Sequence, residues 1–248
     1  IIETLALDKP WETTGMVVLQ AESEVAAINM VHGAAGAGKR AFTSSSSPGV
    51  ALMQECISYM AGSEIPGMIV NVQRGGPGLG TIQPSQSDYT QAVKGGGNGD
   101  YHVIVLAPNS VQEMADFVDL AFELAFKYRN PSMILSDGVI GQMMEKVELR
   151  EPKPRRTDAE IRALCDSWAT IGCEGRHGNT ITSLSLDPVT QENFNIHLQK
   201  KYDTIQENEV RYETYLTDDA EYLFVAFGCS SRICEAATDI LRNEGFKV

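Results

Sequence analysis

Length, composition and charge place this chain among ordinary globular proteins. It has 248 residues, of which 43% are hydrophobic and 21% are charged, a composition that excludes disorder, collagen and coiled coil. The formal net charge of −13 argues against the basic surface that nucleic acids and anionic membranes require. We therefore expect no nucleic-acid partner and no membrane partner.

Neither a membrane-spanning run nor a signal peptide is recognisable in the sequence. No apolar run approaches the roughly 20 residues of a transmembrane helix, and the opening Ile-Ile-Glu-Thr-Leu lacks a basic segment. We expect a cytoplasmic protein. Since the chain has no initiator Met and stops at Phe246-Lys247-Val248, which looks like the start of another unit, we also expect a piece of a longer protein.

The cysteines and His32 do not form a metal-binding pattern. The five cysteines are Cys56, Cys165, Cys173, Cys229 and Cys234. Their odd number and wide spacing favour reduced thiols over a disulfide framework or a zinc or iron–sulfur site. His32 has no metal-ligand partner four residues later, which favours a histidine held in the core. We predict no metal ligands in this chain.

Short apolar runs alternate with helical stretches along the first part of the chain. The predicted strands are residues 17–19, 41–43, 68–72, 103–106 and 133–135, and the predicted helices are 22–37, 49–61 and 110–127. Continuously apolar strands are buried on both faces, so we predict an α/β fold with a mainly parallel sheet and helices on both faces. Ligands of such sheets bind at the carboxyl ends of the strands.

The regular alternation of predicted strands and helices stops after residue 150. We predict a first domain over 1–150, a linker excursion with one helix over 151–217, and the start of a second α/β domain over 218–248. The linker helix is expected at about 191–215. The second domain is expected to open with a strand at 222–228, a helix at 233–243 and a strand from Phe246.

Two carboxylates open a helix whose other residues are nearly all apolar. Helix capping and the helix dipole are enough to explain Glu22 and Glu24. However, Glu24 stands one turn before Ile28 and two before Val31 on a helix with no polar face. Its carboxyl group could therefore point into a covered site and share a proton with a ligand nitrogen. Spacing alone leaves both interpretations open.

A serine-rich turn follows one predicted strand and precedes a helix. Ser46, Ser47 and Gly49 would place hydroxyls and backbone N–H groups where an anion or polar ligand binds. A capping turn with Pro48 at the helix start explains the same residues. This motif does not decide between the two.

A glycine-rich loop follows the strand at 68–72. Pro77 lies within Gly75–Gly80 and no helix opens at the last glycine, which argues against a dinucleotide-binding fingerprint. The loop is better interpreted as an active-site wall that approaches a ligand closely. Arg74, at the strand's tip, could pair with a substrate carboxylate or could be an ordinary surface arginine. The stretch 86–100 continues the loop to a second glycine cluster.

Four spaced motifs resemble the α-type subunit of the 2-oxoacid:ferredoxin oxidoreductases. They are Glu22-Ser-Glu24-x-Ala-Ala-Ile, Ser45-Ser-Ser-Pro-Gly49 with Leu52-Met-x-Glu55, Asn71-Val-Gln-Arg74-Gly-Gly-Pro-Gly, and Leu106-Ala-Pro-x-Ser-x-Gln-Glu113. The branch that acts on 2-oxoisovalerate (3-methyl-2-oxobutanoate) is the most similar. Residues 218–248 are similar to the start of that subunit's second, transketolase-C-terminal-like domain.

The resemblance implies thiamine diphosphate as cofactor, with this subunit holding the aminopyrimidine. Glu24, or Glu22 as the fallback, would bind the pyrimidine nitrogen, and Arg74 would bind the substrate carboxylate. The implied cofactor-binding residues are Glu24, Glu22, Ser46, Ser47 and Gly49. The implied substrate-pocket residues are Arg74, Gly75, Gly76, Gln86 and Asp88. Glu24 and Arg74 would be the catalytic residues.

Three departures from the family pattern imply partner subunits. The upstream Tyr-Pro-Ile-Thr-Pro segment, the Gly-Asp-Gly…Asn motif for diphosphate and magnesium, and the cluster cysteines are all missing; residues 136–138 do not replace the second. Mg²⁺ and [4Fe-4S] clusters would then belong to other subunits, and this chain alone would be inactive. Ferredoxin and coenzyme A would be reached through a homo- or hetero-oligomeric complex.

The resemblance implies oxidative decarboxylation of a branched 2-oxoacid to acyl-CoA and CO₂, with reduction of ferredoxin. The same chemistry on 2-oxoglutarate, pyruvate or an aryl pyruvate is the first alternative, because selectivity depends on pocket volume. A non-catalytic α/β assembly subunit is the second, because fold does not imply function.

Overall fold

Four strands and ten helices make up the part of the chain that the structure describes. This computed structural model describes residues 2–151 and 155–248, without the side chain of Ile2; Ile1, in the predicted first domain, and residues 152–154, in the predicted linker, lie outside them. The strands are Phe42–Ser45 (β1), Met68–Gln73 (β2), Ile104–Leu106 (β3) and Ser132–Asp137 (β4). The helices are Ile2–Asp8 (α1), Pro10–Thr13 (α2), Glu24–Gly36 (α3), Ser47–Gly62 (α4), Tyr89–Lys94 (α5), Val111–Tyr128 (α6), Gly138–Gln142 (α7), Asp158–Cys165 (α8), Pro188–Glu209 (α9) and Cys229–Asn243 (α10). None of these helices is long and apolar enough to cross a membrane.

The strands form one parallel sheet in the order β1-β2-β4-β3. The two central strands pair along their whole length, from Met68 opposite Ser132 to Gln73 opposite Asp137. Because neighbouring strands are parallel, they all end at the same edge of the sheet, which we call the carboxyl edge. The predicted α/β fold with a parallel sheet is confirmed.

Helices cover both faces of the sheet, as predicted. On one face, α3 and α4 contribute Ile28 and Ile57 to an apolar cluster that includes Ile69 of β2. On the other face, α6 contributes Phe122 to a second cluster that includes Val70. Successive side chains of a strand point to opposite faces, so β2 supplies both clusters and must be apolar on both sides.

Most predicted elements of the first 150 residues are confirmed, with shifted ends. The predicted strands from 41–43 onward correspond to β1, β2, β3 and β4, and the three predicted helices correspond to α3, α4 and α6. Helix α4 begins at Ser47, two residues earlier than predicted, and Pro48 lies in its first turn. Proline suits this position because its φ is already helical and its missing N–H has no helical partner there.

Two predicted strands, at 17–19 and 222–228, are wrong. The structure forms no strand at either place, and Val17 and Val225 are 81% and 96% exposed. A strand needs a neighbour to pair its backbone N–H and C=O groups, and neither segment has one among the described residues. Apolar content was therefore an insufficient signal.

The strand predicted from Phe246 is also absent. Instead, the carbonyl oxygen of Lys247 accepts hydrogen bonds from the N–H groups of Glu221 at 2.8 Å and Tyr222 at 3.1 Å. Residues 221–222 and 246–248 thus lie side by side without the repeated bonds of a ladder. The helix expected at 233–243 is confirmed as α10 and starts four residues earlier.

The predicted linker packs against the first domain and contains two helices rather than one. Helix α8 was not predicted, although Thr157 and Glu160 form a capping box at its start. Trp168, 8% exposed, belongs to the same core cluster as α3 and α4. Helix α9 crosses the edge opposite the carboxyl edge, where the Nζ atom of Lys201 lies 3.1 Å from a carboxylate oxygen of Glu64.

Candidate functional site

A cleft lies at the carboxyl edge, where the sequence predicts ligand binding. It has a volume of about 330 Å³. The turns that follow β1, β2 and β4 bring its walls together, because those three strands are neighbours in the sheet. The lining residues are Ser44, Ser45, Ser46, Val72, Gln73, Arg74, Ile82, Gly138 and Gln142.

The serine turn joins the end of β1 to the start of α4. Ser46 is the N-cap of α4 and its side chain makes no capping hydrogen bond. The hydroxyl of Ser47 accepts a hydrogen bond from the N–H of Arg74 at 3.0 Å and lies 3.2 Å from the Arg74 carbonyl oxygen. Ser47 therefore fastens the first turn of α4 to the end of β2, and Ser46 lines the cleft.

Glu24 reaches the same corner from α3. Ser23 caps that helix by accepting a hydrogen bond from the N–H of Ala26 at 3.2 Å, which leaves Glu24 as its first residue. A Cβ atom built on Gly49 would lie 2.8 Å from Glu24 Cγ and 3.0 Å from Glu24 Oε1, and would overlap Ser45 Oγ. The half-buried carboxyl group of Glu24 thus lies over Gly49, beside a serine of the cleft.

Glu22 occupies a different position from Glu24. Its side chain is exposed, and its Oε1 atom lies 3.5 Å from the hydroxyl of Ser23, its neighbour in sequence. Of the two carboxylates that the sequence left as candidates, the structure places Glu24 against the turn that lines the cleft.

Arg74 and the glycine loop form another wall of the cleft. Arg74 makes an isolated antiparallel bridge with Pro84, and the N–H of Gly75 donates to the carbonyl of Gln83 at 3.0 Å. The chain therefore returns beside Arg74 after the loop. Gly80 has a φ of +59°, and a Cβ there would overlap the Gly75 carbonyl, so this position requires glycine. Gly75 and Gly76 begin the loop but do not line the cleft.

The guanidinium of Arg74 has bonding capacity left for a ligand. Its Nε atom is buried and has no hydrogen-bond partner in the described part of the chain. A buried donor without a partner is costly. An anion in the cleft would satisfy it, as the sequence predicts for a substrate carboxylate.

Gln86 and Asp88, predicted for the substrate pocket, have protein partners in this structure. Asp88 Oδ2 accepts a hydrogen bond from Asn71 Nδ2 at 3.0 Å, and the N–H of Asp88 donates to Gln73 Oε1 at 3.1 Å. Gln86 Nε2 donates to the carbonyl of Phe227 at 2.6 Å. Their contact with a substrate stays a prediction.

Asp137, at the end of β4, is a buried anchor. Its Oδ1 atom accepts hydrogen bonds from the N–H groups of Val139 and Ile140, and its Oδ2 atom accepts one from Cys229. Burial acts to raise the pKa of Asp137, but the bonds from Ile140, Cys229 and Val139 outweigh it and lower the pKa. This carboxylate therefore caps α7 and holds the backbone of Cys229.

Sequence reasoning missed several residues around the cleft. Gln73 is fully buried and its Nε2 atom has no hydrogen-bond partner among the described residues. Asn71 and Gln73 are polar residues within an otherwise apolar buried strand, which is the signal that could have found them. Ile82, Gly138 and Gln142 line the cleft from irregular or very short elements, and the sequence carried no comparable signal for them.

His32 and Cys56 meet where α3 packs on α4. The Cys56 Sγ atom lies 4.0 Å from His32 Nδ1 and 3.7 Å from Asn29 Oδ1. Burial lowers the pKa of His32, and burial together with the charge of Glu55 raises the pKa of Cys56 to about 11. Both groups are therefore uncharged near neutral pH and act as packing residues. The described residues contain no cluster of three His, Cys, Asp or Glu side chains able to hold a metal ion.

The fold and the site define a class of protein. A parallel α/β sheet with a carboxylate, hydroxyls and an arginine at its carboxyl edge is typical of a small-molecule site for a polar, partly anionic ligand. Residues 1–212 match the family described as pyruvate flavodoxin/ferredoxin oxidoreductase, thiamine diphosphate-binding. The chain belongs to this thiamine diphosphate-binding family, and the resemblance inferred from the motifs is confirmed.

The chain is similar to curated proteins and to a solved structure of this family. The chain is 54% identical to ketoisovalerate oxidoreductase subunit VorB of Methanothermobacter marburgensis, over 94% of this chain and 65% of the relative. It is 36% identical to 2-oxoglutarate synthase subunit KorA of Methanocaldococcus jannaschii, over 100% of this chain and 72% of the relative. A solved 2-oxoglutarate:ferredoxin oxidoreductase from Magnetococcus marinus, with 2-oxoglutarate, coenzyme A and succinyl-CoA bound, matches with a TM-score of 0.81 and 27% identity, over 99% of this chain and 47% of that one. The chain thus spans 65% of the length of the VorB relative, and the relatives are subunits of larger enzymes.

Proposed function

We propose that this chain is the pyrimidine-binding part of a subunit of a thiamine diphosphate-dependent 2-oxoacid:ferredoxin oxidoreductase. The reaction is the oxidative decarboxylation of 2-oxoisovalerate to an acyl-CoA and CO₂, with reduction of ferredoxin. In this proposal, residues 1–150 form the pyrimidine-binding domain, 151–217 link it, and 218–248 begin a second domain. The chain alone is inactive because its site is completed by partner subunits.

The position of Glu24 over Gly49 carries this proposal. Because Gly49 has no side chain, the Glu24 side chain packs directly on the first turn of α4, beside Ser45 Oγ. Ser45 is one of the serines that line the cleft. A carboxyl group held beside the cleft can share a proton with a basic ring nitrogen of a bound ligand. When bound, thiamine diphosphate supplies carbanion chemistry for cleaving a carboxylate from a 2-oxo carbon. Glu24 holds or donates the proton at the ring nitrogen.

Arg74 supports the 2-oxoacid as substrate class. Its guanidinium is a planar fork that binds a carboxylate through two parallel hydrogen bonds. Arg74 lines the cleft, and its buried Nε atom has no hydrogen-bond partner among the described residues. Arg74 thus orients the acid and stabilises its charge until CO₂ leaves.

The branched-chain substrate is supported by the identities to the relatives. The two ketoisovalerate oxidoreductase subunits are 54% and 53% identical over 94% of this chain. Two 2-oxoglutarate synthase subunits are 36% identical over 100% of it and 47% identical over 60% of it. Val72 and Ile82 add apolar surface to the cleft, which suits an aliphatic side chain better than a second carboxylate. 2-Oxoglutarate and pyruvate remain the alternative substrates.

Partner subunits are supported by the surface of α3. Nearly every position of this helix is apolar or small, and such a helix is normally buried all round. Here Val25 and Met30 are 44% and 48% exposed, on the helix that begins with Glu24. We place a homologous or identical partner on this side, with Mg²⁺ and the [4Fe-4S] clusters on partner subunits. Ferredoxin and coenzyme A act through the complex, which we place in the cytoplasm.

The test is turnover by the full-length protein co-expressed with its neighbouring subunits. Ferredoxin reduction is measured with 2-oxoisovalerate, 2-oxoglutarate and pyruvate, with Glu24→Gln as the active-site variant and Glu207→Gln, on the exposed side of α9, as the control. We expect 2-oxoisovalerate to have the highest kcat/KM, Glu24→Gln to lose at least about 10²-fold, and the control to equal wild type.

Each contrary result has a defined meaning. Full activity of Glu24→Gln with loss in Glu22→Gln would move the role to Glu22. Full activity of Glu24→Gln, Glu22→Gln and Arg74→Ala would favour the non-catalytic assembly subunit.

A further inference from the structure

Gln86 joins two segments that are far apart in the sequence. Its Nε2 atom donates to the carbonyl of Phe227 at 2.6 Å, and its Oε1 atom accepts from the hydroxyl of Ser230 at 2.7 Å. The donor and the acceptor of one amide are thus both used by the turn 227–230. The ring of Tyr89 also packs on the ring of Phe227, with centroids 5.7 Å apart. We call this set of contacts the Gln86 clamp.

The clamped turn is also fixed to the end of β4. The N–H of Cys229 donates to Asp137 Oδ2 at 3.3 Å. Gly228 has a φ of +59°, and a Cβ on it would lie 2.8 Å from Gln86 Nε2 and 3.0 Å from Asp137 Oδ2. Any side chain at this position would separate the turn from both partners. The turn 227–230 therefore sits against the two segments that follow β2 and β4 at the carboxyl edge.

Gln86 is coupled to Arg74 through its own segment. The hydroxyl of Ser87, the next residue, donates to the carbonyl of Arg74 at 3.2 Å. Pro84 forms the antiparallel bridge with Arg74, and Gln83 accepts from the N–H of Gly75 at 3.0 Å. Residues 83–87 therefore lie beside the backbone that carries the Arg74 side chain.

We propose that Gln86 is a positioning residue, which holds residues 83–87 against the turn 227–230 and thereby aims Arg74 at the substrate carboxylate. This inference rests on the proposed function and assigns Gln86 a role other than direct contact with the substrate. It also assigns the start of the predicted second domain a role in the site of the first. Displacement of a binding group by about 1 Å can cost up to 10²-fold.

The experiment compares variants on both sides of the clamp in the full-length protein with its partner subunits. Gln86→Ala removes both amide bonds, and Ser230→Ala removes one of them from the other side. Gln112→Ala is the matched control, because the Gln112 amide also bonds a distant backbone, donating to the Glu148 carbonyl at 3.2 Å and accepting from the Glu148 N–H at 2.8 Å. Residues 112 and 148 lie away from the cleft.

Two measurements are made on each variant. The first is the KM and kcat for 2-oxoisovalerate. The second is the rate at which iodoacetamide alkylates Cys229, followed by peptide mass spectrometry, with the exposed Cys173 as internal reference. Alkylation reports a change around Cys229 independently of activity. Ser230→Ala keeps Gln86, whose Nε2 atom lies 4.0 Å from Cys229 Sγ, and so separates release of the turn from loss of that contact.

The proposal predicts that Gln86→Ala raises KM about 10-fold with a smaller change in kcat, and that it speeds alkylation of Cys229 but not of Cys173. Ser230→Ala should change both quantities in the same direction by less, and Gln112→Ala should change neither. Faster alkylation with an unchanged KM overturns the proposal, as does unchanged alkylation. Absence of 2-oxoacid turnover in the wild-type complex instead overturns the proposed function, on which this inference depends.

Discussion

The carboxyl group of Glu24, the first residue of α3, lies directly beside Gly49 in the first turn of α4. A methyl group on Gly49 would come within 3.0 Å of Glu24 Oε1, closer than side-chain carbon atoms normally approach. The first turn of α4 thus lacks a side chain at the place where the first residue of α3 packs its carboxylate. This close contact between Glu24 and Gly49 is the geometric basis of the proposed cofactor site.

Gly49→Ala should damage both stability and cofactor binding. The new Cβ would meet Glu24 and overlap Ser45 Oγ, so these groups must move. Overpacking of this kind costs about 1–3 kcal/mol, which thermal unfolding of the subunit would measure, and we expect thiamine diphosphate binding to the complex to be lost.

Gly33→Ala is the control for that stability measurement. Gly33 lies within α3, and a Cβ there would have no neighbour within 4 Å. Alanine should therefore stabilise the helix by roughly 0.5–1 kcal/mol. Equal unfolding midpoints for the two variants would contradict the close packing at Gly49.

Arg74→Lys should weaken substrate binding while keeping the charge. Lysine cannot reproduce the fork that binds a carboxylate with two parallel bonds. We expect the KM for 2-oxoisovalerate to rise about 10-fold or more, as measured by steady-state ferredoxin reduction. Arg162→Lys, at an exposed position of α8, should behave as wild type. An unchanged KM in Arg74→Lys would remove Arg74 from the carboxylate site.

The interactions of Glu209 should stabilise the folded protein at neutral pH and lose this effect in acid. Its Oε1 atom accepts hydrogen bonds from Lys127 at 2.6 Å and Tyr128 at 2.7 Å, and these bonds lower its pKa from the ordinary 4.5 to about 2. Because the pKa is lower in the folded than in the unfolded state, the stabilisation is complete above about pH 4.5 and is lost as the pH falls towards 2.

Glu209→Gln should therefore lower the free energy of unfolding by about 1 kcal/mol at pH 7, and the difference from wild type should shrink below about pH 4. Denaturant unfolding at a series of pH values measures this. Glu207→Gln, two residues earlier on the exposed side of α9, should show little effect at any pH. A difference that does not vary with pH would exclude the assigned ion pair.

A substitution of Trp168 should test whether the segment after residue 150 belongs to the apolar cluster formed by α3, α4 and β2. Its ring lies 6.3 Å from that of Phe126, and the guanidinium carbon of Arg129 lies 5.1 Å from its centroid. Trp168→Ala should lower the free energy of unfolding by about 3–5 kcal/mol. Trp11→Ala, at a position 45% exposed, should cost much less; similar losses in both variants would contradict this packing.

The sequence predicted the sheet well because its central strands leave few alternatives. Residues 68–70 and Val72 supply apolar side chains to both faces, as expected of an interior strand between helical layers. The turn chemistry was equally informative at α4, where Pro48 and the serines mark the start of the helix. The segment 222–228 is similarly apolar but has no neighbouring strand within 2–151 and 155–248. Strand pairing is a tertiary property that composition does not contain.

The candidate site was predictable in part. Glu24 and Arg74 were predicted from their places at a helix start and a strand end. The structure puts Arg74 in the cleft lining and Glu24 beside Ser45 and Gly49, and their roles stay predictions. The roles of Gln86 and Asp88 could not be predicted, since their partners lie on β2 and on the turn 227–230, up to 144 residues away. Local spacing identifies residues near a site, whereas long-range hydrogen bonds decide which of them face it.

The most direct test of the central claim is thiamine diphosphate binding by titration calorimetry. The complex of the full-length protein with its partner subunits is compared with this chain alone, each with Glu24 or with Glu24→Ala. We predict binding only in the complex and an affinity at least about 10-fold weaker in the variant, a loss of about 1.4 kcal/mol. Equal affinity of wild type and Glu24→Ala in the complex would contradict the assignment of Glu24 to the cofactor.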